Sequence, residues 1–221
     1  MNTIMKAGKK KPVIRFCIGL FFILAAAAFC ALFFRLRGSI SVKPLQSAGF
    51  SESVYYLQKD PLWAGDRLGD SEFTMASSGC LTSCLTGVIK LTGIIIPELE
   101  AVNPGSLNRF FATHHVYDGA GNIQWKQLEA AIGRTVVTKS ASEVTAGGLE
   151  MLLSQNICPI VRVRVKGLGS FHYVLITKSD GRQFWCMDPL NSEKQPVPLS
   201  QFGSRIYAVR YILPEGRDGD I

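Results

Sequence analysis

The sequence predicts an α+β fold, in which a helical half precedes a largely antiparallel sheet and one membrane-spanning helix stands near the N-terminus. Three observations lead to this prediction. Residues 16–34 form an uncharged apolar run, the stretch from Cys80 to Leu91 carries apolar residues at helical spacing, and short β-branched or aromatic runs separated by turn residues follow from Ile157. A chain of 221 residues has room for one globular domain and an appendage.

The apolar run at residues 16–34 contains neither a charge nor a proline. As a helix it would be roughly 28 Å long, close to the thickness of a bilayer's hydrocarbon core. We expect an uncleaved signal anchor, because the apolar region of a cleaved signal peptide spans only roughly 7–15 residues. A cleaved signal peptide is the alternative. The bulky Phe29 before Cys30 argues against processing as a lipoprotein.

Basic residues are distributed unevenly about this run. Lys6, Lys9, Lys10, Lys11 and Arg15 precede it, whereas Arg35, Arg37 and Lys43 follow it. The positive-inside rule therefore predicts a cytoplasmic N-terminus and a globular domain on the outer side of the cell membrane. Much of the net charge of +7 lies in this flank, where it serves topology and contact with anionic lipid. No basic patch with interleaved aromatic residues is found, and we expect no nucleic-acid partner.

The sequence divides into five expected segments. They are a basic cytoplasmic segment at 1–15, the membrane helix at 16–34, a stalk at 35–53, the globular domain at 54–214 and a tail at 215–221. The stalk is predicted from the mixed polar composition between Gly38 and Glu52, which would let the domain stand off the bilayer.

The six cysteines do not form an obvious disulfide framework. Cys17 and Cys30 lie in the apolar run, which leaves Cys80 and three others in the domain. A location outside the cytoplasm permits one bridge among Cys84, Cys158 and Cys186, and the sequence does not select it. No Cys and His spacing resembles a zinc site, so we expect neither a metal nor a cofactor.

Helices are expected in the first half of the domain and strands in the second. The first helix runs from Cys80 to Leu91, capped by Ser77 and Ser78 and ended by Gly93. Further helices are predicted at 105–113, 122–132 and 146–155, and strands at 157–165, 171–177, 183–187 and 204–213. Residues 178–182 are typical of a hairpin turn between the second and third of these strands.

Cys80 is the candidate nucleophile. It stands in the first turn of a predicted helix, where unpaired backbone N–H groups stabilise a thiolate. Cys84 lies one turn further along the same face, between Leu81 and Val88, and we assign it to the core. A small buried hydrophobic residue is the alternative role for Cys80.

His172 is the candidate general base and Asp188 the group that orients it. His172 lies on a predicted strand, and a hairpin can bring Asp188 beside it to accept the imidazole N–H and direct the other nitrogen to sulfur. His114 and His115 are alternatives, but they fall in what resembles an exposed connection. Trp63, Trp185 and Tyr173 are candidates to line a cleft.

Four segments carry a resemblance to a known family. Tyr55–Ala64 (YYLQKDPLWA), Ser78–Cys80, His172–Val174 and Asp188–Pro189 resemble the papain-like cysteine peptidases related to the double-glycine leader peptidases of bacteriocin exporters, over about residues 54–213. The resemblance implies a papain-like fold, with Cys80 on the helical half and His172 and Asp188 on the sheet. It also implies Gln58 as the side-chain donor to the oxyanion, although Gln58 stands much further before Cys80 than in the exporter pattern.

The resemblance implies a cysteine peptidase that hydrolyses peptide or amide bonds of a peptide or protein substrate through an acyl-enzyme. Together with the expected anchor, it predicts a membrane-anchored, outward-facing enzyme. The resemblance does not extend to coupling with export, since it carries over neither an ATP-binding domain nor a second span. Two alternatives stay open, a cell-wall peptidoglycan amidase or endopeptidase and an inactive binding domain. The presence of Cys80, His172 and Asp188 favours an enzyme. The sequence does not predict an oligomeric state.

Overall fold

The computed structural model describes residues 10–216 and divides the chain into two units, Met1–Arg37 and Gly38–Ile221. In its described residues, the first unit consists of one long helix, α1 (Lys10–Leu36). Its segment Arg15–Leu36 is long and apolar enough to cross a membrane, and its most apolar stretch is not buried against protein. A helix of this kind near an N-terminus is either a membrane anchor or a signal sequence, so the prediction of one N-terminal apolar helix is confirmed at that level.

The second unit combines helices with a sheet, as the sequence predicted. Its α-helices in the described residues are α2 (Met75–Ser78), α3 (Cys80–Thr92), α4 (Pro104–Thr113), α5 (Trp125–Ile132) and α6 (Ala146–Ser154). Its strands are β1 (Ile40–Ser41), β2 (Ser47–Gly49), β3 (Val136–Ser140), β4 (Ile160–Arg164), β5 (Phe171–Asp180), β6 (Phe184–Met187), β7 (Val197–Pro198), β8 (Arg205–Ile206) and β9 (Ala208–Ile212). Short 3₁₀ turns occupy Ala141–Glu143, Val165–Gly167 and Leu199–Phe202.

The main sheet has the strand order β3-β9-β4-β5-β6-β7, with β2 also paired to β5, and β1 pairs separately with β8. All of these pairs are antiparallel. The long strand β5 therefore organises the sheet, because its first half pairs with β4 and its second half with β2 and β6.

The segment predicted to be a stalk, 35–53, departs from that expectation. From Gly38 onward it belongs to the second unit, since β1 and β2 lie within it and Val42 is buried in the core. Two of its backbone N–H groups, those of Leu45 and Gln46, donate to one carboxylate oxygen of Glu150 at 2.6 Å each. Backbone pairing with distant segments is not visible in a short polar stretch, and for this reason the composition suggested a linker.

Several element boundaries also differ from the sequence prediction. Ser77 and Ser78 do not cap α3, because Thr74 forms a capping box with Ser77 that starts the separate turn α2. The N-cap of α3 is instead Gly79, where a Cβ atom would lie 2.6 Å from the carbonyl oxygen of Met75. A side chain at this position would thus push α2 away from the start of α3.

The remaining differences concern strands and one helix start. Helix α5 begins at Trp125 rather than at 122, since Ile123 forms a β-bridge with Tyr117 instead. Strand β3 was not predicted, β5 extends to Asp180 into the expected turn, and the predicted strand 204–213 is divided into β8 and β9.

Two apolar clusters cover the two faces of the main sheet. Helices α3, α4 and α5 pack on one face, against Ile160, Leu175 and Ile212, whereas α6 packs on the other face, which includes Val161 and Val174. The alternation of residues along β4 and β5 separates these two sets, as period-two strand geometry requires. Both faces of β5 are therefore buried, and its position is fixed from two sides.

Helix α3 approaches β5 closely at Gly87. A Cβ atom on this buried glycine would lie 2.7 Å from Cδ2 of Leu175 and 3.4 Å from the Met187 side chain. The absence of a side chain therefore sets the distance between this helix and the central strand.

We expect Gly87→Ala to lower the free energy of unfolding of the second unit by about 1–3 kcal/mol, because overpacking of Leu175 outweighs the better helix propensity of alanine. Gly147→Ala is the matched control, since a Cβ there meets nothing within 4 Å. Urea unfolding of the detergent-solubilised full chain measures both variants. A stabilised Gly87→Ala variant would show that α3 and β5 are not tightly packed there.

Candidate active site

Cys80 is the first residue of α3 and is partly exposed. It lines an open cleft of about 320 Å³ together with residues of both halves of the second unit, among them Tyr117, Trp125, Tyr173 and Arg210. The hydroxyl groups of Tyr117 and Thr82 are hydrogen-bonded at 2.8 Å, which fixes the helical wall of this cleft beside α3. A thiol at this place can meet a ligand from solvent.

His172 lies near the start of β5 and is only 3% exposed. Its Nε2 lies 2.7 Å from Oδ1 of Asp188, which directly follows β6 and is also buried. The same Oδ1 accepts the backbone N–H of Leu190 at 2.8 Å. Because Asp188 accepts from Nε2, the ring's second nitrogen, Nδ1, is the one available for its hydrogen bond with the Cys80 side chain.

The surroundings of His172 favour its protonated form. Burial alone lowers the pKa of this imidazole, but hydrogen bonds to Asp188 and Cys80, together with the charges of both groups, raise it to about 9. The imidazolium form is thus favoured between the Asp188 carboxylate and the sulfur of Cys80.

Gln58 is buried beside the loop that follows Asp188, with 3% of its surface exposed. Its backbone N–H donates to the carbonyl oxygen of Pro189 at 3.0 Å, and its Nε2 donates to the carbonyl oxygen of Ala76 in α2 at 2.9 Å. Its Oε1 is buried without a hydrogen-bond partner among the described residues. Gln58 therefore connects the turn before Cys80 with the loop after Asp188.

The other thiols of the domain are in different surroundings. Cys84 is buried and its Sγ lies 3.5 Å from the carbonyl oxygen of Tyr173. Burial raises the pKa of its thiol well above the ordinary value, with smaller contributions from Cys80, Asp188 and Cys186. Burial likewise raises the pKa of Cys158 and Cys186. All cysteines in the described residues are free, so no bridge joins Cys84, Cys158 and Cys186.

The alternative histidines lie outside this arrangement. His114 caps the end of α4, where Nδ1 is 2.9 Å from the carbonyl oxygen of Phe110 and Nε2 is 3.3 Å from Glu98. His115 follows with an exposed side chain in the left-handed backbone region. Neither lines the cleft that contains Cys80.

Of the aromatic candidates for the cleft, Tyr173 lines it but the two tryptophans do not. Trp63 is buried and donates Nε1–H to the carbonyl oxygen of Leu57, and Trp185 donates to Asp180 on the hairpin. Sequence reasoning missed Tyr117, Trp125 and Arg210. The Asp118-Gly119 turn lies between Tyr117 and Trp125 in the sequence. It predicts a loop there, but it does not predict which strand that loop faces.

The chain matches no protein-family model and no curated protein. Among solved structures it is similar to a candidate C39-like peptidase from Bacillus anthracis, with 14% sequence identity and a TM-score of 0.46. The match covers 76% of this chain and 98% of the other. At this level of similarity it assigns no role to any residue.

We expect the ring of His172 to titrate at about pH 9, above its ordinary value of 6.5, in an NMR titration of the histidine-labelled full chain. Because the folded pKa is raised, the associated stabilisation is complete below pH 6.5 and is lost as the pH rises through about 9. Asp188→Asn should lower this pKa, since it removes a charge that favours the imidazolium.

The spectrum of His172→Gln identifies the signal that belongs to this ring. A wild-type signal that titrates at or below pH 6.5 would contradict the hydrogen-bonded arrangement with Asp188 and Cys80.

Proposed function

We propose that this chain is a membrane-anchored cysteine peptidase whose globular domain lies outside the cytoplasm. In this proposal Cys80 is the nucleophile, His172 the general base and acid, and Asp188 the residue that orients the imidazole. One observation supports it: Nε2 of the buried His172 ring lies 2.7 Å from the Asp188 carboxylate, and the Cys80 side chain is a further hydrogen-bond partner of the same ring. This is the connectivity that an activated nucleophile requires.

Each side chain takes a defined part in acylation. The sulfur of Cys80, having given its proton to His172, attacks the carbonyl carbon of the scissile amide and forms a tetrahedral intermediate. The imidazolium then protonates the departing amine, the C–N bond breaks, and a thioester links the acyl group to Cys80. Asp188 keeps Nε2 occupied, so that Nδ1 is directed at sulfur throughout.

Deacylation uses the same groups in reverse order. His172 accepts a proton from a water molecule, whose oxygen attacks the thioester carbonyl and forms a second tetrahedral intermediate. The C–S bond then breaks and the proton returns to the sulfur of Cys80. The products are a carboxylic acid and the free amine, so the net reaction is hydrolysis of one amide bond.

Gln58 is proposed as a donor to the oxyanion of both intermediates. Its amide nitrogen carries two hydrogens, of which one is used by the carbonyl oxygen of Ala76. The second, with the backbone N–H of Cys80 at the start of α3, can meet the negative charge that develops on the carbonyl oxygen. The contacts of Gln58 with α2 and with Pro189 support this role, because they hold the amide between the two segments that carry Cys80 and Asp188.

The membrane assignment is supported by α1. The segment Arg15–Leu36 has the length and apolar composition of a membrane span, and the excess of basic residues before it favours a cytoplasmic N-terminus. We propose that α1 remains attached as an anchor. The peptidase would then act on peptides or proteins at the outer surface of the cell membrane.

We expect a peptidyl alkylating reagent to label the wild-type full chain at Cys80, with no label in Cys80→Ala. His172→Gln should slow labelling on the order of 100-fold, because the base that removes the thiol proton is gone. Peptide mass mapping after digestion locates the label. Cys30→Ala serves as the matched control and should label like the wild type, since Cys30 lies in the other unit.

Equal labelling of the wild type, Cys80→Ala and His172→Gln would overturn the proposed triad. Labelling of Cys80 without hydrolysis of any peptide would favour an inactive peptidase-like domain. Release of stem peptides from purified cell wall, with no cleavage of ordinary peptides, would favour the peptidoglycan enzyme.

We expect Gln58→Ala to lower kcat/KM for peptide hydrolysis on the order of 10²–10³-fold through kcat, as loss of one oxyanion donor does. Alkylation of Cys80 by iodoacetamide forms no oxyanion, so its rate should change little in this variant. Parallel measurement of the two rates separates an oxyanion role from a structural one. If both rates fall together, Gln58 supports the position of Cys80 and does not act on the intermediate.

A further inference from the structure

The face of the main sheet that α3, α4 and α5 cover also contributes Tyr173 and Arg210 to the wall of the cleft. On this face Arg162 stands opposite Tyr173, and Arg210 stands opposite Ile160, so the two arginines are diagonal neighbours on β4 and β9. Side chains two residues apart on a strand point to the same side, which places both guanidinium groups on the face that carries Tyr173. This face of the sheet therefore carries Tyr173 and the arginines Arg162, Arg164 and Arg210, of which Tyr173 and Arg210 line the cleft.

This wall belongs to the same cleft as the candidate nucleophile. Tyr173 and Arg210 line the cleft of about 320 Å³ that Cys80 also lines. None of the residues described as lining it carries a carboxylate, and Arg210 is the charged one among them. The charge in the cleft is thus positive and lies next to the proposed reacting thiol.

Within the part of the chain that the structure describes, no carboxylate pairs with Arg210 or Arg162. The Nη1 group of Arg210 donates to the carbonyl oxygens of Val209 at 2.8 Å and Lys139 at 3.2 Å, while its Nε is buried without an acceptor among the described residues. The guanidinium of Arg162 stacks on Phe171 at 3.6 Å.

Carboxylates on the adjacent loop are already engaged. Asp118 lies in the loop before α5, just ahead of the residues 120–123 that line the cleft. Its Oδ1 accepts hydrogen bonds from the backbone N–H groups of Ala120 at 2.9 Å and Asn122 at 2.8 Å. A hydrogen bond from the Asn122 side chain, together with these backbone bonds, lowers the pKa of Asp118 and uses its charge to hold the turn. By contrast, burial lowers the pKa of Arg210; Tyr173 opposes this shift, and the neighbouring charge of Arg162 adds to it.

Arg210 is also held in a fixed orientation. Its guanidinium lies 5.2 Å from the centre of the Trp125 ring, and its Nη1 is tied to two backbone carbonyls. A planar cation fixed on an aromatic ring can bind a carboxylate with little loss of side-chain entropy.

We infer that Arg210, reinforced by Arg162, binds a carboxylate of the substrate close to the cleaved bond. The inference rests on the proposed function, since it names the substrate class of that peptidase: peptides with an acidic group in the cleft beside Cys80. Such a carboxylate forms charge-assisted hydrogen bonds with the guanidinium and neutralises the repulsion between the two arginines. It is either an Asp or Glu side chain or the C-terminal carboxylate of the peptide, and the two sources share this chemistry.

The test is the cleavage of a peptide library by the detergent-solubilised full chain. Mass spectrometry of the products should show Asp or Glu enriched at one fixed position relative to the cleaved bond. Matched peptides with Glu or Gln at that position are then compared, and a third peptide with a C-terminal amide tests the terminal carboxylate. We expect the Glu peptide to exceed the Gln peptide in kcat/KM on the order of 10- to 100-fold, the size of one charge-assisted hydrogen-bonded pair.

Variants assign this preference to the arginines. Arg210→Gln should reduce the Glu-to-Gln ratio to about one, Arg162→Gln should reduce it in part, and Arg210→Lys should retain some of it because the charge remains. Arg182→Gln is the matched control, because Arg182 is an exposed arginine on the β5–β6 turn, outside this cleft. The ratio does not depend on the active fraction of a preparation, so partial misfolding of a variant does not imitate the result.

The outcomes separate the two proposals. Cleavage with no acidic preference, or with a Glu-to-Gln ratio that Arg210→Gln leaves unchanged, overturns the carboxylate site while the peptidase proposal stands. A ratio lost only on amidation of the C-terminus identifies the terminal carboxylate as the bound group. If no peptide is cleaved and Cys80 is not labelled, the proposed function fails and the carboxylate site fails with it.

Discussion

The contact between α3 and β5 determines where the chemical groups of this protein lie. Three pairs follow one another in the same order along both elements: Cys80 contacts His172, Cys84 contacts the carbonyl oxygen of Tyr173, and Gly87 approaches Leu175. The helix thus runs alongside the first half of the strand. Because β5 is buried on both faces and Gly87 packs closely on Leu175, the start of α3 is held at the start of β5. A rigid helix and strand, and not a loop, therefore carry the thiol and the imidazole.

Burial then gives chemically similar side chains different properties. The thiols of Cys84 and Cys186 are fully buried, and desolvation raises their pKa values. Cys80 is partly exposed at a helix start. For His172 burial would by itself favour the neutral ring, but the hydrogen bonds to Asp188 and Cys80 outweigh it. Partners, more than exposure, therefore set the charge of the imidazole.

The sequence predicted the parts of the fold that depend on local pattern. Helix α3 follows from apolar spacing, β5 and β6 follow from their β-branched and aromatic residues, and the hairpin between them brings Asp188 to His172. Gln58 was reached only through a family resemblance, since nothing in its own segment indicates contact with the Asp188 loop.

Features that depend on long-range pairing could not be predicted. Residues 40–49 appeared to be a linker because their partners, in β5 and β8, are far away in the sequence. Arg210 appeared to be one charge on a C-terminal strand, and only the register of β9 against β4 places it beside Arg162. The position of the candidate triad is thus largely encoded in local signals, whereas the character of the cleft beside it is not.

The imidazole of His172 and the basic wall of the cleft lie on different sides of strand β5. His172 and Tyr173 are successive residues on β5, so their side chains point to opposite sides of the strand. Tyr173 lines the cleft wall with Arg210, while His172 is directed to Asp188. The charges of Arg162 and Arg210 and those of Cys80 and Cys84 act in opposite directions on the pKa of the Tyr173 hydroxyl, which burial raises. Tyr173 therefore shares the cleft with Cys80 and Arg210. Under the proposed function, changes in this wall would alter which peptides bind without altering the contacts that position the imidazole.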